Sequence, residues 1–280
     1  MTDRVSGSTG RRLARGAGSA RQRRVPLGLL LPAGIGLLFL VLPLAGLLIR
    51  APWTTLPERI TQPGVLTALR LSLQSATIAT VLCLVFGVPL AWLLARVEFP
   101  GRRIVRAIVT VPLVLPPVVG GVALLLVFGR RGILGQYLDR AFGITLPFTT
   151  SAVVLAEAFV AMPFLIIAVE GALRGADSRY EEAAATLGAG RWTTFTHVTL
   201  PLVAPGIAAG GVLCWARALG EFGATITFAG SFPGRTRTMP LEVYLALETD
   251  IQAAIVLSLI LLAVSVAILA SLRDKWISAA

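Results

Sequence analysis

The chain has 280 residues, of which 56% are hydrophobic and only 14% charged. A soluble domain of this length carries nearer a quarter charged residues, so a water-soluble fold is excluded and a polytopic membrane protein is expected. The formal charge of +11 would elsewhere suggest nucleic acid, but seven arginines sit in the first 24 residues with no aromatic-basic module beside them; that placement is a topology signal, and no nucleic-acid partner is expected.

Residues 1–26 are rich in Arg, Gly and Ser without periodicity, and read as a disordered basic tail lying against anionic lipid. They could pass for the n-region of a signal peptide, but none is expected, because the apolar run that follows is too long and has no A-x-A cleavage site. The first spanning segment covers about Leu27–Ile49. The second, about Leu66–Ala95, carries Ser72, Gln74, Ser75, Thr77 and Thr80, whose polar groups should face other helices or water. Arg70 lies near its outer end and can snorkel to the headgroups. The third, about Ile104–Phe128, is interrupted by Pro112, Pro116, Pro117, Gly120 and Gly121. Such breakers survive in a spanning helix only where protein or a wet cavity satisfies the freed backbone groups. The fourth, about Phe148–Leu173, contains Glu157 and Pro163. Glu157 has no local partner and is expected either to cap a neighbouring helix or to meet Arg217. Glu170 and Arg174 are four apart at the inner end and should brace the polar stretch that follows.

That stretch, Asp177 to Pro201, is a charged island between two apolar runs. Ser178 and Glu181 have capping-box spacing. Tyr180, Ala183, Ala184 and Leu187 then fall at i, i+3, i+4 and i+7, one apolar face of a short helix, with Glu181 and Glu182 off that stripe. Gly188 is placed to end the helix in a left-handed cap, and Pro201 suits the first turn of the next one. The island therefore reads as helix, sharp turn, second short segment, and return to an apolar helix. Alone, the short helix is marginal, and its face must pack on something.

The fifth segment, about Leu202–Phe222, holds Gly206, Gly210 and Gly211, small residues that allow close helix approach. Arg217 and Glu221 are four apart and can pair. Arg217 lies roughly 24 Å from Pro201 by helical rise. The pair either anchors the outer interface or shapes an outer gate at which Arg217 offers positive potential to an anion. The stretch Gly223–Asp250 is the longest external loop and is expected to carry function. The sixth segment is about Ala253–Leu272.

Six spans put both termini on one side. Sixteen basic residues then share that side: the seven of the tail, Arg96, Arg102, Arg103, Arg106, Arg174, Arg179, Arg191, Arg273 and Lys275. Seven lie opposite: Arg50, Arg59, Arg130, Arg131, Arg140, Arg235 and Arg237. The richer side is cytoplasmic, so both termini and the island are cytoplasmic. Cys83 and Cys214 lie inside apolar runs and read as small buried hydrophobes. With His197 the single histidine, no metal site is expected. No nucleophile elbow, H-E-x-x-H or P-loop is present, so no catalytic residue is expected, and any ATP hydrolysis belongs to another chain. A secondary transporter would show an internal repeat with broken helices; the third segment is broken, but no repeat accompanies it.

Glu182-Ala183-Ala184, Gly188 and Val198-Thr199-Leu200-Pro201 resemble the EAA loop of the ABC-importer permeases, E-A-A-x3-G-x9-I-x-L-P, with Val for Ile. The elements Ala216–Ala224 and Phe228–Pro240 resemble oxyanion importers, most closely the molybdate permeases, with sulfate/thiosulfate permeases as the alternative. The resemblance spans residues 66–272 within a permease domain of residues 27–280. It implies an all-α type I importer fold with six transmembrane helices and a cytoplasmic coupling helix between helices four and five, in the cytoplasmic membrane. It implies a homodimeric pore, two cytoplasmic ABC ATPase subunits that bind ATP and Mg, and an extracytoplasmic molybdate-binding protein, with no cofactor in this chain. ATPase coupling then falls to Tyr180, Glu181, Glu182, Ala183, Ala184, Leu187, Gly188, Leu200 and Pro201. Ser75, Thr77, Arg217 and Glu221 are candidates for the path or gate of a tetrahedral dianion, and Arg235 and Arg237 for docking the binding protein.

Overall fold

The computed structural model describes residues 27–277, and the basic tail expected over residues 1–26 lies outside them. Every element among the described residues is a helix: α1 (Leu27–Ile49), α2 (Leu56–Ile60), α3 (Pro63–Arg96), α4 (Arg102–Val114), α5 (Pro117–Phe128), α6 (Gly135–Phe142), α7 (Thr150–Gly175), α8 (Arg179–Thr186), α9 (Arg191–Thr194), α10 (Leu200–Leu219), α11 (Gly223–Phe228), α12 (Met239–Thr249) and α13 (Ile251–Ile277). The chain divides into two units at Gly46–Leu47. In the first, residues 27–46 are helical throughout, with Pro32 and Pro43 inside the helix.

The second unit is built on α3, α7 and α10. Five helices are long and apolar enough to cross a membrane: Gly28–Ile49, Pro63–Arg96, Thr150–Gly175, Arg191–Leu219 and Ile251–Ile268. The pair α4 and α5 is apolar enough together, but it is bent by 118° at residues 115–116. The third segment is thus two helices and not one interrupted span. Leu115, ahead of Pro116, and Pro116, ahead of Pro117, are both extended, the conformation that a following proline imposes.

α3 and α7 run parallel. Ser75 meets Glu157 near one end, Cys83 Sγ reaches Ala158 O at 3.5 Å, and Arg96 reaches Ala176 O at 3.4 Å at the other. α10 runs against both. A Cβ on Gly206 would lie 2.3 Å from Ala172 Cβ, and one on Gly210 would lie 2.9 Å from Ala168 Cβ, so the small residues form the seam between α10 and α7. Cys83 and Cys214 are buried free thiols inside this core.

The bundle is tied at both ends. At one, Arg106 and Arg174 both reach Glu170 Oε1 at 2.6 Å, and Arg102 Nε donates to Leu94 O at 2.8 Å. Basic side chains thereby satisfy carbonyls that the end of α3 leaves without helical partners. At the other, Arg59 meets Asp250 at 2.6 Å and Thr150 Oγ1 donates to Arg235 O at 2.9 Å.

The stretch 223–250 is no open loop. It contains α11 and α12, and it buries Ala224, Thr225, Phe228, Ala229, Thr236, Thr238, Met239 and Leu241. α11 packs on α5, where a Cβ on Gly121 would lie 2.7 Å from Thr227 Cβ. The backbone N–H of Met239 donates to Ser72 Oγ at 2.7 Å, which fixes the start of α12 to α3.

Candidate functional site

The island folds into α8, a tight turn, and one continuous helix from Arg191 to Leu219. The turn is a Schellman motif: Gly188 N–H donates to Ala185 O and Ala189 N–H to Ala184 O, both at 3.0 Å. Gly188 has φ +82°, the left-handed conformation that glycine adopts without strain. The expected second short segment does not stand alone. Residues 195–199 form a π-helical turn that runs directly into α10. The wider turn takes up Pro201, which has no N–H to bond and would crowd the carbonyl of His197 in an α-helix.

The capping box expected of Ser178 and Glu181 does not form. Ser178 is already helical, at φ −68° and ψ −15°, where a capping serine is extended. Asp177 Oδ1 instead accepts the N–H of Arg179 at 3.0 Å, and Ser178 Oγ donates to Glu182 Oε1 at 3.3 Å. Glu181 turns inward, where its Oε1 lies 3.2 Å from Arg96 and accepts from Thr199 Oγ1 at 3.0 Å.

The face opposite Glu181 is open. Tyr180 is 60% exposed and Leu187 is 88% exposed. Ala183 is exposed and Ala184 half-buried. Trp192, which the periodicity of α8 could not include because it lies beyond the turn, is 75% exposed and stacks at 5.9 Å on Phe195. Leu200 packs onto the core, while Pro201 is exposed. Beside Glu181 lies a cavity of about 390 Å³, bounded by Trp92, Arg96, Ala185, Arg191 and Phe195. His197 is exposed and its Nδ1 lies 2.8 Å from Thr196 Oγ1.

Toward the other end, Arg217 and Glu221 pair at 2.7 Å. Glu221 lies past the end of α10, in a break, and is 1% exposed. Its second oxygen accepts the N–H of Ala224 at 2.8 Å, so it holds α11 as well as Arg217. The sequence spacing shows the pair but not the cap, because the helix break at Gly220 is not visible in it. Glu157 meets neither Arg217 nor a helix end. Its Oε1 accepts from Ser75 Oγ at 2.8 Å, so Ser75 is committed to packing between α3 and α7. Thr77 is exposed and accepts from Trp215 Nε1 at 3.1 Å. Arg70 is exposed. Among the docking candidates, Arg235 is exposed, while Arg237 donates to Ser231 Oγ at 3.2 Å and lies 3.6 Å from Glu242. At that end the Arg59 guanidinium, with the N–H groups of Ala253 and Gln252, holds the Asp250 carboxyl below the usual range. Among the described residues no cluster of His, Cys, Asp or Glu could hold a metal ion.

Residues 87–279 match the family model described as binding-protein-dependent transport system inner membrane component. The chain is 52% identical to the molybdenum transport system permease protein ModB of Mycobacterium tuberculosis, over 86% of this chain and 91% of that one. It is 44% identical to the Escherichia coli protein of the same name, over 75% and 92%. It is 38% identical to the sulfate transport system permease protein CysT of Escherichia coli, over 90% and 93%. Among solved structures, a bacterial ABC transporter involved in import of the acidic polysaccharide alginate matches with TM-score 0.71 at 18% identity, covering 89% of this chain and 93% of that one. The MetNI methionine ABC transporter matches with TM-score 0.59 at 19% identity, covering 76% and 94%.

Proposed function

Because this chain belongs to the family of binding-protein-dependent transport system inner membrane components, we propose that it is the membrane subunit of an ATP-binding-cassette importer for molybdate, with tungstate as a second tetrahedral dianion. It is a multi-pass membrane permease. The pore is a homodimer, the richer basic side and both termini are cytoplasmic, and the membrane is the cytoplasmic one. Two ATPase subunits below it bind ATP and Mg, so the chain itself is a non-catalytic pore with no cofactor. A molybdate-binding protein docks at the far end, near Arg235 and Arg237.

One observation carries the reading of the site: Tyr180 on α8, Leu187 in the turn after it and Trp192 beyond the turn stand open, and α8 is held from behind by Glu181. A large apolar patch of this kind marks a docking surface. ATP closes the ATPase dimer, α8 moves with it, and the two pore halves rock between inward-facing and outward-facing forms. The binding protein then releases its anion into a path near Thr77 and Arg217. A dianion is served there by hydroxyls and arginine, with the Glu221 charge neutralised by its partner.

Sulfate is the second reading, supported by the sulfate permease relative across nine-tenths of the chain; the molybdate reading leads because the molybdenum permeases share more of this sequence. The test is uptake of labelled molybdate into vesicles holding this chain with its ATPase and binding protein. Uptake should need ATP and resist excess sulfate. Uptake driven by an ion gradient without ATP would refute the importer, and displacement by equimolar sulfate would refute the ion.

A further inference from the structure

We propose that the carboxylate of Glu181, gripped by Arg96 and Thr199, is the positioning link that passes the movement of α8 to the long helices α3 and α10. This rests on the importer reading above and deepens it. Two adjacent acids on α8 face opposite ways. Glu182 is exposed, with Ser178 Oγ at 3.3 Å as its side-chain partner. Glu181 points inward, and its Oε1 collects two donors from two other elements. Arg96 is the last residue of α3, and Thr199 is the residue before α10. Arg96 also donates to Ala176 O at 3.4 Å, just past the end of α7. One ion pair therefore joins four elements.

Packing does not do this work. α8 buries no residue, and a cavity of about 390 Å³ lies beside the pair. The pair itself is shielded, with side-chain exposures of 17% for Arg96 and 20% for Glu181, so water and salt weaken it less than a surface pair. A push on α8 consequently reaches the bundle through a charge-assisted contact and not through a greasy face.

Both recipients lead to the far end. α3 is a single helix of 34 residues, about 51 Å long by its rise. It carries Ser72, which holds the start of α12, Ser75, which holds Glu157, and Thr77, which holds Trp215. α10 carries Arg217 and, through it, Glu221. Moving Glu181 loads two rods that bear the polar groups of the opposite end.

The experiment uses the full transporter in vesicles and reads anion uptake and ATP hydrolysis together. Glu181→Ala keeps a strong helix former in α8. It should leave ATP hydrolysis running while uptake per ATP falls about tenfold, within the span of site-to-site coupling energies. The swap Arg96→Glu with Glu181→Arg should restore uptake per ATP, which also shows that the variants fold. An unchanged ratio in Glu181→Ala would overturn the proposal. So would hydrolysis and uptake falling in equal proportion, or a swap that restores nothing. If the unaltered transporter shows no ATP-driven uptake, the importer reading itself fails, and that result is distinct from the others.

Discussion

Gly206→Ala tests the helix seam most directly. The new Cβ would stand 2.3 Å from Ala172 Cβ, with Ala172 Cα at 3.7 Å. Carbon atoms prefer separations of about 3.5–4.0 Å. The two helices must therefore part by roughly 1.2 Å at this point, and neither methyl can rotate away. A Cβ on Gly210, one turn further along α10, would stand 2.9 Å from Ala168 Cβ, so the seam remains tight there and resists a local tilt. Overpacking of this kind costs about 1–3 kcal/mol. Ala172→Gly removes the opposing methyl and by itself costs about 1 kcal/mol of helix propensity. Thermal unfolding of the detergent-solubilised protein, measured on both single variants and on the pair, reads the coupling. Gly206→Ala should lower the midpoint, and the double variant should be less destabilised than the sum of the two single losses by about 1–2 kcal/mol. Strictly additive losses would refute the seam as drawn.

At Gly188 the backbone is left-handed and no atom lies within 4 Å of an added Cβ. Gly188→Val should therefore leave the fold intact but strain the turn by roughly 1–2 kcal/mol, and it should lower uptake while ATP hydrolysis persists; unchanged uptake would count against the docking role of α8. Arg217→Met strands the Glu221 carboxylate, which is 1% exposed. It should destabilise by up to about 3 kcal/mol, and a further Glu221→Gln should recover stability; if that double variant is stable and transports normally, Arg217 is no gate. Asp250 is held below the ordinary carboxylate range by Arg59 and two backbone N–H groups. A lowered folded value means that the tie is present above about pH 3.9, the unfolded carboxylate value, and is lost as pH falls below it through the folded value. Spin labels at Thr61 and Thr249 should report a distance that widens only under strong acid, and Asp250→Asn should remove the transition; widening between pH 5 and 7 would contradict it.

How far the fold could be read from the residues depended on whether local chemistry decided each element. Long apolar runs located α1, α3, α7, α10 and α13 because lipid leaves a backbone no alternative to the helix. Gly188 was legible because its left-handed turn has one cheap occupant. The Leu115-Pro116-Pro117 break is visible as a string of breakers, but its 118° angle is not, since no local signal sets the direction in which α5 leaves it. The stretch 223–250 read as a loop because α11 is only six residues long, too short to show a period. Spacing alone points Glu181 to a capping box. Its actual partners, Arg96 and Thr199, are 85 and 18 residues away in sequence, and a single sequence holds no local signal for a contact at such range. The same holds for Ser75 and Glu157, 82 residues apart.

The positions of the breaks decide where this bundle can bend. α3, α7 and the helix from Arg191 to Leu219 are uninterrupted, and the small-residue seam locks α10 to α7. The interruptions at residues 115–116 and 220–222 lie together: a Cβ on Gly223 would stand 2.8 Å from Pro117 Cβ and 3.1 Å from Val118 N. Helix breaks absorb changes of dihedral angle that continuous helices resist. Glu221 bridges one of these breaks, holding Arg217 on α10 with one oxygen and the first turn of α11 with the other. α11 in turn fills the groove of α5 at Gly121. Any displacement of α10, with the α7 to which it is locked, is therefore handed to α11 and α5 by a charged tie and a close packing contact.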